Sequence, residues 1–258
     1  MKIGLFIKYE VVDKSFEDNI KNKIMSFGYS IDNSNPDYVF SFGGDGTFLK
    51  AVQKYLSQLD HVKFVCVNKG KLGFFCDFKE EELDEILSNL DGDKYSLSSY
   101  RLLTARINNE DIFAVNEVRI ENPFHTLTSE VLVNGSELET FRGNGLVVCS
   151  AIGSSAYNKS LGGALLDSSL EVMQIKEIAP ISNCLYTSLI NSLVVPSTSK
   201  ITFKGNFKEV VLGYDHLTKK ELSTSEITIS LSDKKVKIVS KKDRDYIKKI
   251  NSSFLSRR

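Results

Sequence analysis

Tyr38-Val39-Phe40-Ser41-Phe42-Gly43-Gly44-Asp45-Gly46-Thr47-Phe48-Leu49 carries the change of period on which the fold turns. Tyr38–Phe42 is an apolar run of strand length, whereas Thr47–Leu59 aligns Phe48, Leu49, Val52, Tyr55 and Leu56 on one helical face. The same alternation lies on both sides. Ile3–Ile7 reads as a strand and Ser15–Phe27 as a helix with Phe16, Ile20, Ile24 and Phe27 inward. Val62–Val67 reads as a third strand, and Glu80–Leu90 as a third helix through Leu83, Ile86, Leu87 and Leu90. Strand and helix repeated with short links predict a Rossmann-like α/β domain with a parallel sheet over residues 1–96.

After Tyr95 the period shortens. Leu102–Ile107, Phe113–Ile120, Glu130–Val133, Glu137–Phe141, Gly145–Ser150, Ile201–Phe203, Glu209–Leu212, Ile227–Leu231 and Val236–Val239 read as short strands. Asn134-Gly135 is a two-residue hairpin signal. Residues 97–239 are therefore expected to form a mostly-β, sandwich-like domain, interrupted by a helix over Ser155–Met173. The basic tail, 240–258, spaces Tyr246, Ile250 and Phe254 four apart, and is expected to pack back on the first domain.

Composition removes several function classes. The 258 residues carry 33 Lys+Arg and 33 Asp+Glu, so the basic excess of a phosphate-neutralising nucleic-acid binder is missing. No apolar run approaches the length of a membrane span, and Met1–Lys8 does not read as a secretory signal. Cys66, Cys76, Cys149 and Cys184 form no CxxC pair and read as thiols of a reducing compartment. These observations predict a cytoplasmic protein with neither nucleic-acid nor membrane partners.

Phe42–Thr47 sits at the carboxyl end of a parallel strand, where open α/β sheets place ligands. Its glycines allow close approach and bare N–H groups, and the following helix offers its positive end; phosphate is the natural guest. Asp45 alone would repel phosphate. A carboxylate there makes sense if it takes a proton from a hydroxyl attacking a phosphoryl group, or helps hold a divalent cation. The GxxxxGK[ST] spacing of a Walker loop is absent, and Lys50 reads as surface. Ser155–Ser160 reads as a Ser/Gly loop entering a helix, and Arg142 as a phosphate or carboxylate fork or an exposed sandwich arginine. No His/Cys/carboxylate cluster has metal-ligand spacing, and His61 and His125 read as structural.

Gly43–Thr47, Asn116-Glu117 and Gly153-Ser154-Ser155-Ala156-Tyr157-Asn158-Lys159-Ser160-Leu161-Gly162-Gly163 resemble the three signatures of the NAD kinase family. Asn68–Phe74 and Phe141–Leu146 fall in the family's order too, so the resemblance runs over nearly the whole chain. It implies an ATP-dependent enzyme that phosphorylates the 2′-hydroxyl of the adenosine ribose of NAD. It further implies Mg²⁺ carried with the nucleotide, ATP or polyphosphate as donor, and a homotetramer or homodimer.

By resemblance, Asp45 is the proton acceptor, and Gly44 and Gly46 leave room for ATP phosphates. Asn116 and Glu117 serve the adenosine half of the dinucleotide, and Ser155, Ala156, Tyr157, Asn158 and Ser160 wall the adenine and its ribose. Arg142, Asn144, Ala179 and His216 complete the expected binding set. Two positions differ from the family pattern: Asn144 stands where an Asp is usual, and Ala151-Ile152 where a proline and hydroxyl pair is usual. A lipid kinase of the diacylglycerol or sphingosine type shares the GGDGT turn. A non-catalytic dinucleotide sensor would keep the binding residues without turnover. The Asn116-Glu117 and Ser155–Gly163 matches argue against the first, and the retained Asp45 against the second.

Overall fold

A computed structural model describes residues 1–7, 14–69, 73–90, 92–220 and 222–255. Two compact units divide the chain: residues 1–100 with 234–258, and residues 101–233.

The first unit is a parallel sheet with helices. Its strands are β1 (Lys2–Ile7), β2 (Ser30–Ile31), β3 (Tyr38–Phe42), β4 (Lys63–Asn68) and β5 (Phe78–Lys79). β1 pairs with β2 and β3, β3 with β4, and β4 with β5, all parallel. Helices α1 (Lys14–Ser26), α2 (Asp45–Lys54) and α3 (Leu83–Ser88) follow β1, β3 and β5. The five residues of β3 are all buried. A strand covered on both faces reads as a continuous apolar run, which is why Tyr38–Phe42 shows no alternation. Ile20 and Ile24 of α1 and Leu83, Ile86 and Leu87 of α3 bury against β1, β3 and β4 in one apolar core.

β6 (Tyr95–Ile107) leads into the second unit, which holds β7 (Glu110–Ala114), β8 (Glu117–Glu121), β9 (Leu127–Val133), β10 (Ser136–Gly143) and β11 (Gly145–Ser150). After the one-turn helix α4 (Tyr157–Ser160) come β12 (Val172–Ile178), β13 (Leu193–Pro196), β14 (Ile201–Gly205), β15 (Val211–Tyr214) and β16 (Leu217–Lys219). β17 (Glu226–Lys241) closes the series, and α5 (Tyr246–Ile250) follows in the first unit. The antiparallel order β13-β12-β11-β8-β15-β16 makes one sheet, and β10-β9-β14-β17 run side by side in another. Leu103, Val118, Phe141, Val148, Ile175, Phe203 and Ile229 share one buried core, so the alternating apolar residues of these strands meet across the unit's interior. Asn134 (φ 53°) and Gly135 (φ 83°) are both left-handed, which puts Val133 opposite Ser136 in the β9–β10 hairpin.

Three sequence expectations change. No helix spans Ser155–Met173: a 3₁₀ turn over Ile152–Ser155 and α4 end at Gly162 (φ 75°) and Gly163, and Val172 already belongs to β12. The expected strand Phe113–Ile120 is broken at Val115-Asn116, between β7 and β8. Ile227–Leu231 and Val236–Val239 are one strand, β17. β12, β13 and β16 carry no expectation from the sequence. In the tail, the rings of Tyr246 and Phe254 lie 5.9 and 6.1 Å from that of Phe74, and Lys249 Nζ donates to Cys76 O at 2.8 Å.

Candidate active site and family membership

In the first unit, Phe42 ends β3 and Asp45 begins α2, with Gly44 at the N-cap in extended conformation and, among the described residues, no side chain capping the helix. Gly44 and Gly46 are exposed, and a Cβ on either would meet nothing within 4 Å. Among the described residues the space beside Gly44 and Gly46 is therefore open, with the positive end of the helix dipole behind it, an arrangement suited to an anion.

The Asp45 carboxylate does not point at random. Its Oδ2 accepts the main-chain N–H of Phe74 at 2.6 Å, and its Oδ1 accepts that of Phe75 at 3.0 Å. The Sγ of Cys76 lies 3.9 Å from Oδ1. Packing sets this grip. Phe48, one turn beyond Asp45, is fully buried, with its ring 4.7 Å from that of Phe75 and 5.7 Å from that of Phe64 on β4. Gly73 completes the approach, since a Cβ there would lie 2.2 Å from Asp45 Oδ1. Of the Asn68–Phe74 stretch, Gly70, Lys71 and Leu72 lie outside the described residues.

In the second unit, Asn116 and Glu117 stand at the start of β8, and each is less than a tenth exposed. Asn116 Oδ1 and Glu117 Oε2 are buried without a hydrogen-bond partner among the described residues. An unpaired buried acceptor costs about 1–3 kcal/mol, so the pair is primed for a ligand's donors. Burial, reinforced by the negative Asp215, pushes the Glu117 carboxyl up to about 7, while Arg119 pulls it down. Arg119 Nη1 lies 3.5 Å from Glu117 Oε1, and its Nε donates to Glu121 Oε2 at 2.9 Å. Tyr157 Oη donates to Glu121 Oε1 at 3.0 Å and its ring lies under the Arg119 guanidinium at 5.4 Å. One network thus joins Glu117 through Arg119 and Glu121 to Tyr157.

The rest of that loop is held by its own backbone. Gly153 passes so close to Asn116 that a Cβ would lie 2.0 Å from Asn116 O. Ser155 and Ala156 are half-buried, and Ser160 is exposed. Asn158 is fully buried, and its amide donates to Ser154 O and Ala164 O, each at 3.1 Å. Its place in the fold is to shape the loop from within. Ser154 does the same, accepting Leu166 N–H on its Oγ at 2.9 Å.

Arg142, Asn144 and Ala179 form a second group. The Arg142 guanidinium lies 4.5 Å over the Tyr186 ring, and Ala179, exposed and left-handed (φ 44°), follows β12. Asn144 Nδ2 donates to Asn122 O at 3.0 Å, a bond that an aspartate in this position could not make. His216 is exposed in the two-residue turn between β15 and β16. Arg119, Glu121 and Asp215 were not anticipated from the sequence. The first two could have been, because Glu117, Arg119 and Glu121 alternate onto one face of a strand. Among the described residues, no group of three His, Cys, Asp or Glu side chains is placed to hold a metal ion.

Residues 115–241 match the family model described as the ATP-NAD kinase C-terminal domain. An NAD kinase of Leuconostoc mesenteroides is 36% identical over 261 residues, covering 99% of each chain. An NAD kinase of Streptococcus gordonii is 39% identical over 205 residues, 78% of this chain and 75% of that one. Among solved structures, an Archaeoglobus fulgidus NAD kinase in complex with ATP superposes with a TM-score of 0.81 at 21% identity, covering 98% of this chain and 99% of that one. Yeast NADH kinase complexed with NADH gives 0.84 at 18% identity over 100% of this chain and 89% of that one. With full-length identity of this order beside the Asp45 turn and the Asn116-Glu117 pair, the chain belongs to the NAD kinase family.

Proposed function

We propose that this member of the NAD kinase family moves the terminal phosphoryl group of ATP onto the 2′-hydroxyl of the adenosine ribose of NAD, giving NADP and ADP. The observation that carries the reading is the Asp45 carboxylate, held by two main-chain amides at the open N-terminus of α2. Asp45 takes the proton of the 2′-hydroxyl, the ribose oxygen bonds to the γ-phosphorus, and the bond to ADP breaks. Such a transfer needs positioning and charge neutralisation more than covalent help. The positive N-terminal end of α2 beside Gly44 and Gly46 supplies part of the neutralisation, and Mg²⁺ arrives with the triphosphate as part of the donor. Asn116 Oδ1 and Glu117 Oε2 accept from the adenosine half, the Tyr157 ring faces its base, and Arg142, Ala179 and His216 serve the remainder of the dinucleotide.

The solved relatives named with ATP and with NADH support this donor and acceptor pairing. A cytoplasmic setting fits the free thiols, of which Cys66, Cys76 and Cys149 are buried. Self-association as a tetramer or dimer fits the exposed apolar residues Leu185 and Ile190 of the β-rich unit. The test of function is direct. Purified protein is incubated with NAD, ATP and Mg²⁺ and assayed for NADP; no NADP above an Asp45→Asn control refutes the reading.

A further inference from the structure

We propose that Asp215 is a positioning residue for the dinucleotide: from the turn between β15 and β16 it clamps the main chain of Val115 and Asn116, and so aims the Asn116-Glu117 pair. The inference rests on the assignment of that pair to the adenosine half of NAD. Val115 and Asn116 fall between β7 and β8, where no neighbouring strand takes up their N–H groups. Asp215 does so instead. Its Oδ2 accepts Val115 N–H at 2.8 Å and its Oδ1 accepts Asn116 N–H at 2.7 Å, across about a hundred residues of chain. Asp215 N–H donates in turn to Glu117 O at 3.1 Å. On the carbonyl side, Ser150 Oγ donates to Val115 O at 2.7 Å and Ser150 N–H to Asn116 O at 2.9 Å. The dipeptide is held through both its donors and both its acceptors, while the Asn116 Oδ1 and Glu117 Oε2 acceptors stay open.

A turn residue alone would not need this chemistry. Asp215 is left-handed (φ 48°), a conformation that asparagine or glycine adopts as readily. The Val115 and Asn116 N–H groups, however, go to two different oxygens of the carboxylate, and an amide offers only one oxygen. The carboxylate also brings a second negative charge beside the buried Glu117, which a turn designed only for stability would avoid. Its presence there makes sense if the alignment of Asn116-Glu117 is what it secures.

Asp215→Asn keeps the turn and removes one acceptor, so it separates the two roles. Titration calorimetry with NAD from pH 5.5 to 8.5, beside kcat and KM, reads the outcome. The expected result is NAD affinity weakened by about 10- to 100-fold, with KM following and kcat changed by less than about threefold. Wild-type affinity should inflect near pH 7 as Glu117 titrates. In Asp215→Asn the inflection should move to lower pH, since the like charge has gone while Arg119, Glu121, Tyr157 and Cys149 around Glu117 are untouched. Glu117→Gln should show no inflection in either background. An Asp215→Asn protein with wild-type NAD affinity and an unmoved inflection overturns the proposal. Should the variant not fold, amide exchange of the wild type decides. Val115 and Asn116 as protected in the free protein as with NAD bound support the clamp, and loop-like exchange in the free protein overturns it. If the wild type neither binds nor phosphorylates NAD, it is the functional reading that fails, whatever Asp215 does.

Discussion

Asp45 Oδ2 accepts the main-chain N–H of Phe74 at 2.6 Å, so the carboxylate at the head of α2 is oriented by the backbone of a segment some thirty residues away. A carboxylate that is to receive a proton at one place benefits from a fixed rotamer, because a misplacement of about 1 Å can cost about a hundredfold in rate. Replacing Asp45 by Asn keeps the shape and one acceptor but removes the base. Turnover is expected to fall by about 10²–10⁴-fold, with the fold retained by circular dichroism. Steady-state activity within about threefold of wild type would remove Asp45 from the base role.

Gly73 tests the same geometry from the other side. A Cβ there would lie 2.2 Å from Asp45 Oδ1 and 2.7 Å from its Cγ, so Gly73→Ala must push the loop or the carboxylate aside. We expect kcat to drop by about tenfold or more and stability by about 1–3 kcal/mol. Wild-type kcat together with an unchanged melting temperature would show that the grip on Asp45 has no bearing on turnover.

Glu117 links the site to stability through pH. Its carboxyl is pushed up to about 7, chiefly by burial and then by Asp215, from an ordinary value near 4.5. Between these two values the folded protein keeps a proton that the unfolded chain has lost, so stability falls as pH rises through the window. The contribution is complete below the unfolded value and is lost once the folded value is passed. Glu139, pushed up to about 7 by burial and by Glu177, acts in the same direction. The Glu117 share amounts to at most about 3 kcal/mol. Urea unfolding at pH 5 and pH 7.5 should show that Glu117→Gln loses less stability over this interval than wild type; equal losses would contradict the assignment.

Asn144 separates a binding residue from a structural one. Its side-chain amide donates to Asn122 O and its main-chain N–H to Ile178 O at 3.0 Å, so the residue ties three segments of the β-rich unit together, the side chain holding the Asn122 segment. Asn144→Asp loses the side-chain donor and is expected to cost about 1–3 kcal/mol in chemical denaturation. If Asn144 also meets NAD, KM for NAD should move by about 2–100-fold with little change in kcat. A stability loss with KM unmoved, in both Asn144→Asp and Asn144→Ala, assigns the residue to structure alone.

Leu185 and Ile190 are 79% and 52% exposed, apolar surface that contact between copies of the chain would cover. Light scattering is expected to return a multiple of the 28.9 kDa chain mass, and Leu185→Asp to shift the population towards that mass. A monomer throughout the micromolar range would count against self-association.

Local chemistry made much of this protein legible before any contact was known. The apolar run Tyr38–Phe42, the glycine turn and the helical spacing after Thr47 specify a strand, a sharp turn and a helix from neighbouring residues alone. Asn134-Gly135 specifies its hairpin in the same way, because both residues tolerate left-handed angles. These signals place Asp45 at the head of a helix whatever the rest of the chain does. The apolar spacing beyond Ser155 misled, because Gly162-Gly163 and the pull of a sheet outweigh a weak helical period. What the tertiary structure alone decides is partnership. Phe74 and Phe75 reach Asp45 because Phe75 packs on Phe48, and Asp215 reaches Val115 because β15 lies beside β8. Such bonds join residues thirty to a hundred positions apart, and no local period encodes them. They exist only once burial has brought the strands together and left main-chain N–H groups that a carboxylate must satisfy.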